Sequence, residues 1–464
     1  MKIVKKNTKN IKEIKFIDLF AGLGGIRLGF EQALHTEGLC GKCVFTSEIK
    51  PYALKAYNVN FSGENVQITD ITKVKKDDIG EFNILLGGFP CQAFSAAGYG
   101  KGFADTRGTL FFEIQRIIEE HIDSIDGFIL ENVEGLVTHD MPKDEKDWVY
   151  DNGIKIGNTL NCILKILREK LGFNVNWTVL NAANFGVPQK RKRIYIVGCK
   201  KEYGTIDLSF NNQPETPASI ALEKGLPCLN DQFAQTLLSL YKPQELVGKA
   251  LKDKRGGNKN IHSWDLELKG KISQEEKDLL NILVCQRRQR KWADIIGIEW
   301  MDGMPLTESQ IFSFFPHSNL KKFLENLTKK RYLVYEHPKQ KRRGVDENGN
   351  VWFYREPDIT KEKGYNIVTG KMSFPISSFV DPVNAVNTIV AMDMNTIGVV
   401  DNDGIRHLSL REGLRFFGYP ETYSLDILKN EKNGIKLAYD LLGNSVCVPV
   451  IKCIAQRLIT TIFK

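Results

Sequence analysis

From Ile14 to about Gly198, short apolar runs alternate with amphipathic stretches. The runs are Phe16–Phe20, Val44–Thr46, Phe82–Leu86, Gly127–Leu130, Val175–Leu180 and Ile194–Val197. Helical periodicity lies between them, for example at Leu110–Glu120 and Thr159–Glu169. Strand-sized runs separated by helix-sized stretches predict an α/β domain around a mostly parallel sheet. After Cys199 the texture changes: residues 200–270 are polar and irregular, with Gly256-Gly257 inside the basic run 252–259. A domain boundary is therefore expected near residue 200.

Helical spacing returns from Ser273 to Trp292, with Ser273 and Glu276 spaced as a capping box. That segment ends in Arg287-Arg288-Gln289-Arg290-Lys291. Shorter helices are expected at Thr307–Phe315 and Asn319–Lys329. Two strands, Arg331–Glu336 and Val351–Arg355, then flank a turn whose Asn348-Gly349 is a hairpin signal. Three helices followed by a two-stranded wing suggest a winged helix over about 273–356, a unit that docks in DNA grooves. An irregular α+β insertion carrying a solvated hairpin is the alternative.

Composition adds limits. The chain has 464 residues, 42% hydrophobic and 26% charged, enough for two globular domains. A net charge of +8 suits a polyanionic partner without requiring one. No apolar stretch approaches the roughly 18 residues of a membrane span, and no membrane association is expected. The basic start, residues 1–15, lacks the apolar core of a signal peptide and reads as a solvated tail. Nine cysteines, an odd number without framework spacing, point to free thiols in a reducing, cytoplasmic setting. Cys40 and Cys43 form a lone CxxC with no second ligand pair, so no metal site is expected.

Three groups of residues carry candidate chemistry. The segment Asp18-Leu19-Phe20-Ala21-Gly22-Leu23-Gly24-Gly25 follows a strand and opens a helix, a turn whose backbone can approach a ligand closely. Glu48 lies just beyond the second run and Asp70 further on, in Thr69-Asp70-Ile71, where carboxylates suit ribose hydroxyls and an adenine amine, so a nucleoside site is expected. Gly87-Gly88-Phe89-Pro90-Cys91 ends a buried strand and presents a thiol on a stiff backbone. Glu131 ends the following strand at the same sheet edge. Arg191 and Arg193 alternate along another strand, so both are expected on one face.

The ordered set DLFAGLGG, SE, TDI, GGFPCQAFS, ENV, QKRKRIYIVG, LREGLRFFGYP and LLGNSVCVPV resembles the cytosine-C5 DNA methyltransferase family over residues 14–199 and about 386–464. The resemblance implies a Rossmann-like, class I S-adenosylmethionine-dependent methyltransferase sheet with a second, variable target-recognition domain. The catalytic domain would span 1–199, completed by 405–464; the recognition domain would span 200–404. It implies Cys91 as nucleophile on cytosine C6, Glu131 at N3 and the exocyclic amine, Arg193 at O2, and Arg191 supporting the pocket and phosphates. The cofactor would be S-adenosylmethionine, held by Phe20, Ala21, Gly22, Leu23, Gly24, Gly25, Glu48, Asp70, Ile71, Pro90, Leu110, Asn444, Ser445 and Val446. The glycine-rich segment 95–108 resembles the family's loop that closes over DNA, which assigns Gln92, Ser95 and Arg107 to DNA. In the middle region the basic runs assign Arg287, Arg288, Arg290, Arg342 and Arg343 to DNA.

The partner implied is double-stranded DNA with a flipped cytosine. A tRNA-methylating branch is the alternative, disfavoured by the roughly 185 residues between the matching blocks. A bacterial restriction–modification role, a cognate endonuclease without a stable complex, a monomer, and a nucleoid-associated cytoplasmic location complete the reading. The DNA target sequence is not legible in residues 200–385.

Overall fold

The structure, a computed structural model, describes residues 13–61, 66–89, 110–142, 144–253, 260–345, 351–369, 374–391 and 394–464. The chain divides into two compact units. The first comprises Met1–Glu223, Asp381–Asn395 and Leu408–Lys464; the second comprises Lys224–Val380 and Thr396–His407.

The first unit is built on six strands: β1 (Glu13–Leu19), β2 (Cys40–Ser47), β3 (Ile84–Gly88), β4 (Gly127–Val133), β5 (Phe173–Asn181) and β6 (Lys192–Lys200). Their order is β2-β1-β3-β4-β6-β5. Neighbours from β2 to β4 run parallel, whereas β6 is antiparallel to both β4 and β5. The mostly parallel, Rossmann-like sheet expected from the sequence is found from β2 to β4; the reversal at β6 was not expected. The centre is buried on both faces: Ile84, Leu85 and Leu86 are all fully covered, which is why β3 reads as an unbroken apolar run rather than an alternation.

Seven helices matter for the site: α1 (Gly25–Thr36), α2 (Pro51–Asn60), α3 (Leu110–Glu120), α4 (Asn158–Lys165), α5 (Leu410–Phe416), α6 (Gly434–Gly443) and α7 (Val448–Phe463). The helix expected at Thr159–Glu169 is α4 continued by a wider π turn, Ile166–Lys170. The first unit also reaches beyond the boundary expected at residue 200. Residues 200–223 and 381–395 belong to it because they bond back: Gln213 N–H to the Asn184 carbonyl at 3.0 Å, and Ala218 N–H to that of Asn384 at 3.1 Å. Val386–Asn387 also pairs parallel with Gln189–Lys190.

In the second unit, Ser273 and Glu276 make the expected capping box, but the helix stops at Gln286. A new one, Arg290–Ile296, begins after Gln289, whose backbone is extended at φ −70°, ψ 135°. The break is held from outside: the Trp292 indole donates to the Gln286 carbonyl at 2.9 Å, and Met304 N–H to that of Arg287 at 2.8 Å. Helices Glu308–Phe312 and Leu320–Lys329 follow as expected.

The expected hairpin is corrected. Leu333–Glu336 pairs antiparallel with Gly364–Ile367, and Val351–Pro357 pairs instead with Lys339–Val345. Pro338 explains the split, since a residue without an amide hydrogen cannot carry the ladder from one strand into the next. The turn signal Asn348-Gly349 lies outside the described residues. A five-stranded sheet of short strands, with a buried Asp401–Arg406 ion pair at 2.8 Å, completes this unit.

Helix α7 packs along α1, and a Cβ on Gly29 would lie 2.7 Å from Ile451 Cβ. Gly29→Val is therefore expected to destabilise the fold by about 2 kcal/mol or more, as overpacked cores do. Gly135→Ala, with open space at its Cβ, should stay within about 0.5 kcal/mol. Urea denaturation of both variants checks the docking.

Candidate active site

Strand β1 delivers the chain into a turn of unusual backbone. Phe20 stands at φ 57°, Gly22 at 54° and Gly24 at 68°. A left-handed Phe is costly and persists only where its surroundings hold it. Here Ala21 N–H donates to the Ser47 carbonyl at 3.0 Å, and Phe20 N–H to Ser47 Oγ at 3.3 Å. Gly24 needs glycine twice over, for its φ and because a Cβ would run into the Phe61 ring. At Gly25 a Cβ would lie 2.6 Å from Tyr419 Oη and 2.9 Å from Val446 Cγ2. The turn is thus clamped between α2 and the C-terminal segment.

Glu48 anchors the turn. Its Oε2 accepts Gly22 N–H at 2.8 Å and its Oε1 accepts Ile49 and Lys50 N–H, each at 2.8 Å. Asp70 Oδ1 accepts the Thr72 hydroxyl at 2.7 Å and Thr72 N–H at 3.1 Å. The Thr72 bonds hold the Asp70 carboxyl below its usual range, so it is ionised. Beside these two carboxylates, Ile49 is 62% and Ile68 60% exposed, an apolar surface in need of a cover. Acceptors for hydroxyl and amine groups flanked by bare aliphatic side chains fit a nucleoside, so the residues present suit the implied cofactor.

The rest of the expected cofactor set divides. Ser445 is buried and shares a 2.6 Å hydrogen bond with Tyr419, Val446 is buried, and Leu23 offers its carbonyl to the Tyr423 hydroxyl. Asn444 is exposed and bonded to Asp440. Ile71 is a core residue, 3% exposed among the apolar side chains under the sheet, and Leu110 packs half-buried against the same cluster. Pro90 lies outside the described residues.

Under the turn sits a residue to which the sequence reading gave no role. Asp18 is fully buried at the end of β1, where Tyr57 donates to it at 3.3 Å. Arg27 in turn donates to Tyr57 at 2.9 Å and to Glu31 at 2.7 Å, with its guanidinium 4.1 Å from the Phe61 ring centre. Burial pushes the Asp18 carboxyl up to about 7 against the pull of Arg27. The signal available was an acid closing an otherwise apolar strand.

At the other end of the edge, Glu131 lies directly opposite Gly88 of β3. Burial raises its carboxyl above the usual range, against the opposing charges of Arg193 and Arg191. Arg193 Nε stands 3.1 Å from Glu131 Oε1. Asn132 donates to the Phe89 carbonyl at 3.0 Å, fixing the last described residue before Pro90 and Cys91. Cys91, Gln92, Ser95 and Arg107 lie outside the described residues. A cavity of about 410 Å³ opens past Arg193, lined also by Val133, Glu134, Asn181, Lys190 and Lys192.

Arg191 is corrected. Its guanidinium is buried and so is not open to phosphates. It is 3% exposed, and its guanidinium donates to the carbonyls of Ile389 at 2.9 Å, Gly443 at 3.0 Å and Ser445 at 2.7 Å. Residue 191 stands between the short strand Gln189–Lys190 and β6 and keeps the buried–exposed alternation that runs from Gln189 to Lys192; its charge, like that of Arg193, acts on Glu131. Cys447 is the buried thiol near this cluster; burial pushes it up to about 12, so it stays protonated.

Among the residues assigned to DNA in the second unit, Arg287 is a core residue. It is 1% exposed, bonded to Asn366, and lowered to about 10 by burial. Arg288 is paired with Asp302. Arg290, Arg342 and Arg343 are exposed, and Arg342 meets Glu356 at 2.7 Å.

Asp18 yields a pH prediction. Its folded pKa is raised, so its neutral form favours the fold. That contribution is complete below its unfolded value near 3.8 and disappears as pH rises through about 7. Unfolding free energy measured by denaturant from pH 4 to 8 should therefore fall more steeply for the native protein than for Asp18→Asn. Identical slopes would remove the claim.

The family model for C-5 cytosine-specific DNA methylases matches residues 14–460. The chain is 53% identical over 452 residues to the type II methyltransferase M.NlaIV of Neisseria lactamica, covering 97% of this chain and 100% of that one. It is 51% identical to M.NgoBV of Neisseria gonorrhoeae over the same shares. It is 37% identical to M.HgiCI of Herpetosiphon aurantiacus over 96% of this chain and 97% of that one. With the glycine turn, the raised Glu131 and the paired Arg193 at one sheet edge, this match means that the chain belongs to the C-5 cytosine-specific DNA methylase family and is an enzyme of that class.

Proposed function

We propose that the protein transfers a methyl group from S-adenosylmethionine to C5 of a cytosine flipped out of double-stranded DNA, through a covalent bond between Cys91 and C6. The observation that carries this is the Glu131–Arg193 pair, 3.1 Å apart, at the point where β3 leads into Pro90-Cys91. A carboxyl with a raised pKa donates or shares a proton at N3 and offers its other oxygen to the exocyclic amine. Arg193 suits the O2 acceptor. Both interactions strengthen as the thiolate adds to C6 and electron density moves onto the ring, which makes C5 nucleophilic. A bound sulfonium supplies the electrophilic methyl group. Loss of the C5 proton then lets the C6–sulfur bond break, releasing Cys91 as thiolate and the 5-methyl base.

Glu48, Asp70 and the Phe20–Gly25 turn would hold the nucleoside part of the cofactor, with Ser445 and Val446 backing the turn. In this reading the enzyme works in the cytoplasm as a monomer. It protects DNA within a restriction–modification system beside a cognate endonuclease, as the type II names of its relatives suggest.

Cys91→Ser should lower methyl transfer at least about 10³-fold while binding DNA as before. Glu131→Gln, the same shape without the ionisable proton, should lower kcat about 10²-fold with a smaller change in KM. Transfer of labelled methyl groups to duplex DNA and to tRNA measures both variants and the substrate class together. Turnover by Cys91→Ser, or label entering tRNA alone, would overturn the reading. Bisulfite sequencing of DNA from expressing cells then reads the marked site.

A further inference from the structure

The hairpin Lys339–Val345 with Val351–Pro357 forms a two-stranded sheet to which no third described strand is added. Its register sorts the side chains. Lys341 lies directly opposite Arg355, and Arg343 opposite Phe353. Residues two apart share a face, so Lys339, Lys341, Arg343 and Arg355 stand together on one side. On the other side Arg342 reaches diagonally to Glu356 at 2.7 Å, and that face is balanced.

The cationic face is not balanced by the hairpin itself. Lys339 and Lys341 meet carboxylates from outside it, Glu336 at 3.1 Å and Glu299 at 3.3 Å. Arg355 donates to two neutral carbonyls, those of Lys339 at 3.4 Å and Trp300 at 3.2 Å. Arg343 has no carboxylate partner among the described residues. Like charges directly across a strand pair are destabilising, so the Lys341–Arg355 arrangement works against the hairpin's own stability. Charged edge strands guard against edge-to-edge pairing, but that purpose does not call for four charges of one sign on one face.

We propose that this face of the hairpin docks on the phosphates of duplex DNA, and that Lys341, Arg343 and Arg355 are its contacts. The inference rests on the assignment of duplex DNA as substrate. A two-stranded ribbon has the width that the major groove admits, and phosphates at the groove edges relieve the Lys341–Arg355 repulsion. The basic run Arg287–Lys291, which the sequence offers for the same task, has its first two cations committed inside the unit.

The test uses the full chain and a mixed-sequence duplex, with affinity measured by fluorescence anisotropy between about 50 and 200 mM salt. The double variant Lys341→Gln/Arg343→Gln should bind about tenfold more weakly at the low-salt end, and its salt slope should fall by about two. Lys321→Gln/Lys322→Gln removes the same charge from the exposed side of helix Leu320–Lys329 and should change affinity less than about twofold. Lys341→Arg/Arg343→Lys keeps both charges and should restore the native slope, which a purely structural role for the hairpin would not predict. A ribbon variant that binds as the native enzyme does, or only as weakly as the Lys321/Lys322 control, overturns the proposal. Methyl transfer by the native enzyme is measured in parallel: if it is intact, such a result sinks the ribbon alone, and if duplex DNA is not methylated, the functional reading falls with it.

Discussion

The guanidinium of Arg191 holds the first unit together. It gathers the carbonyls of Ile389, Gly443 and Ser445, while the neighbouring Gln189 donates to the Phe416 carbonyl at 2.8 Å and accepts Ile389 N–H at 3.1 Å. A buried charge is costly to desolvate, and three carbonyls with the face of Phe417, its ring centre 5.1 Å away, offset that cost. Segments some 200 to 250 residues apart in sequence are thereby fixed in one place. The consequence reaches the glycine turn at Phe20–Gly25. Ser445 and Val446 press on Gly25, Tyr419 bonds Ser445, and Tyr423 bonds the Leu23 carbonyl. A turn with a left-handed Phe20 needs such support, and the chain supplies it from its far end.

Two buried carboxyls show how the same physics serves different ends. Asp18 and Glu131 both stand at the ends of central strands, and burial raises both. Asp18 is sealed beneath the turn, with Tyr57 as its donor, so its raised pKa is a feature of stability. Glu131 faces the edge where β3 leads to residue 90, and its partner Arg193 has exposed neighbours, Lys192 among them. A raised carboxyl there is where the proposed reaction would need a proton donor. Position along the strand, more than the size of the shift, separates the two roles.

Much of this was legible because it is local. Apolar runs located the six strands, since both faces of a central sheet must be covered. The capping box at Ser273 and the glycine turn at 22–25 carry their own geometry. Glu131 is placed at the sheet edge by its position at a strand end, whereas Arg193 reaches that edge only through the reversal of β6. What escaped depends on partners far away in sequence. The reversal of β6 is set by the two strands between which it inserts. The burial of Arg191 and Ile71 is set by what packs over them. Pro338 was in plain view, but the strand before it was assigned a partner by proximity, and its true partner, Gly364–Ile367, lies beyond the hairpin.

The basic run at 287–291 makes the same point about charge. Five consecutive residues, four of them cationic, read as one surface patch. The helix ends inside the run, and the break sends its members in different directions. Arg287 goes into the core to Asn366, Arg288 folds onto Asp302, and of the four cations only Arg290 and Lys291 remain exposed. In the hairpin the order is inverted: Lys339, Lys341 and Arg343 are spread along a strand, and Arg355 comes from the other strand, yet period-two alternation and the register bring all four to one face. Cation density along the chain is therefore a poor guide to cation density on the surface. For a partner that senses only the surface field, the strand pairing decides where the charge is.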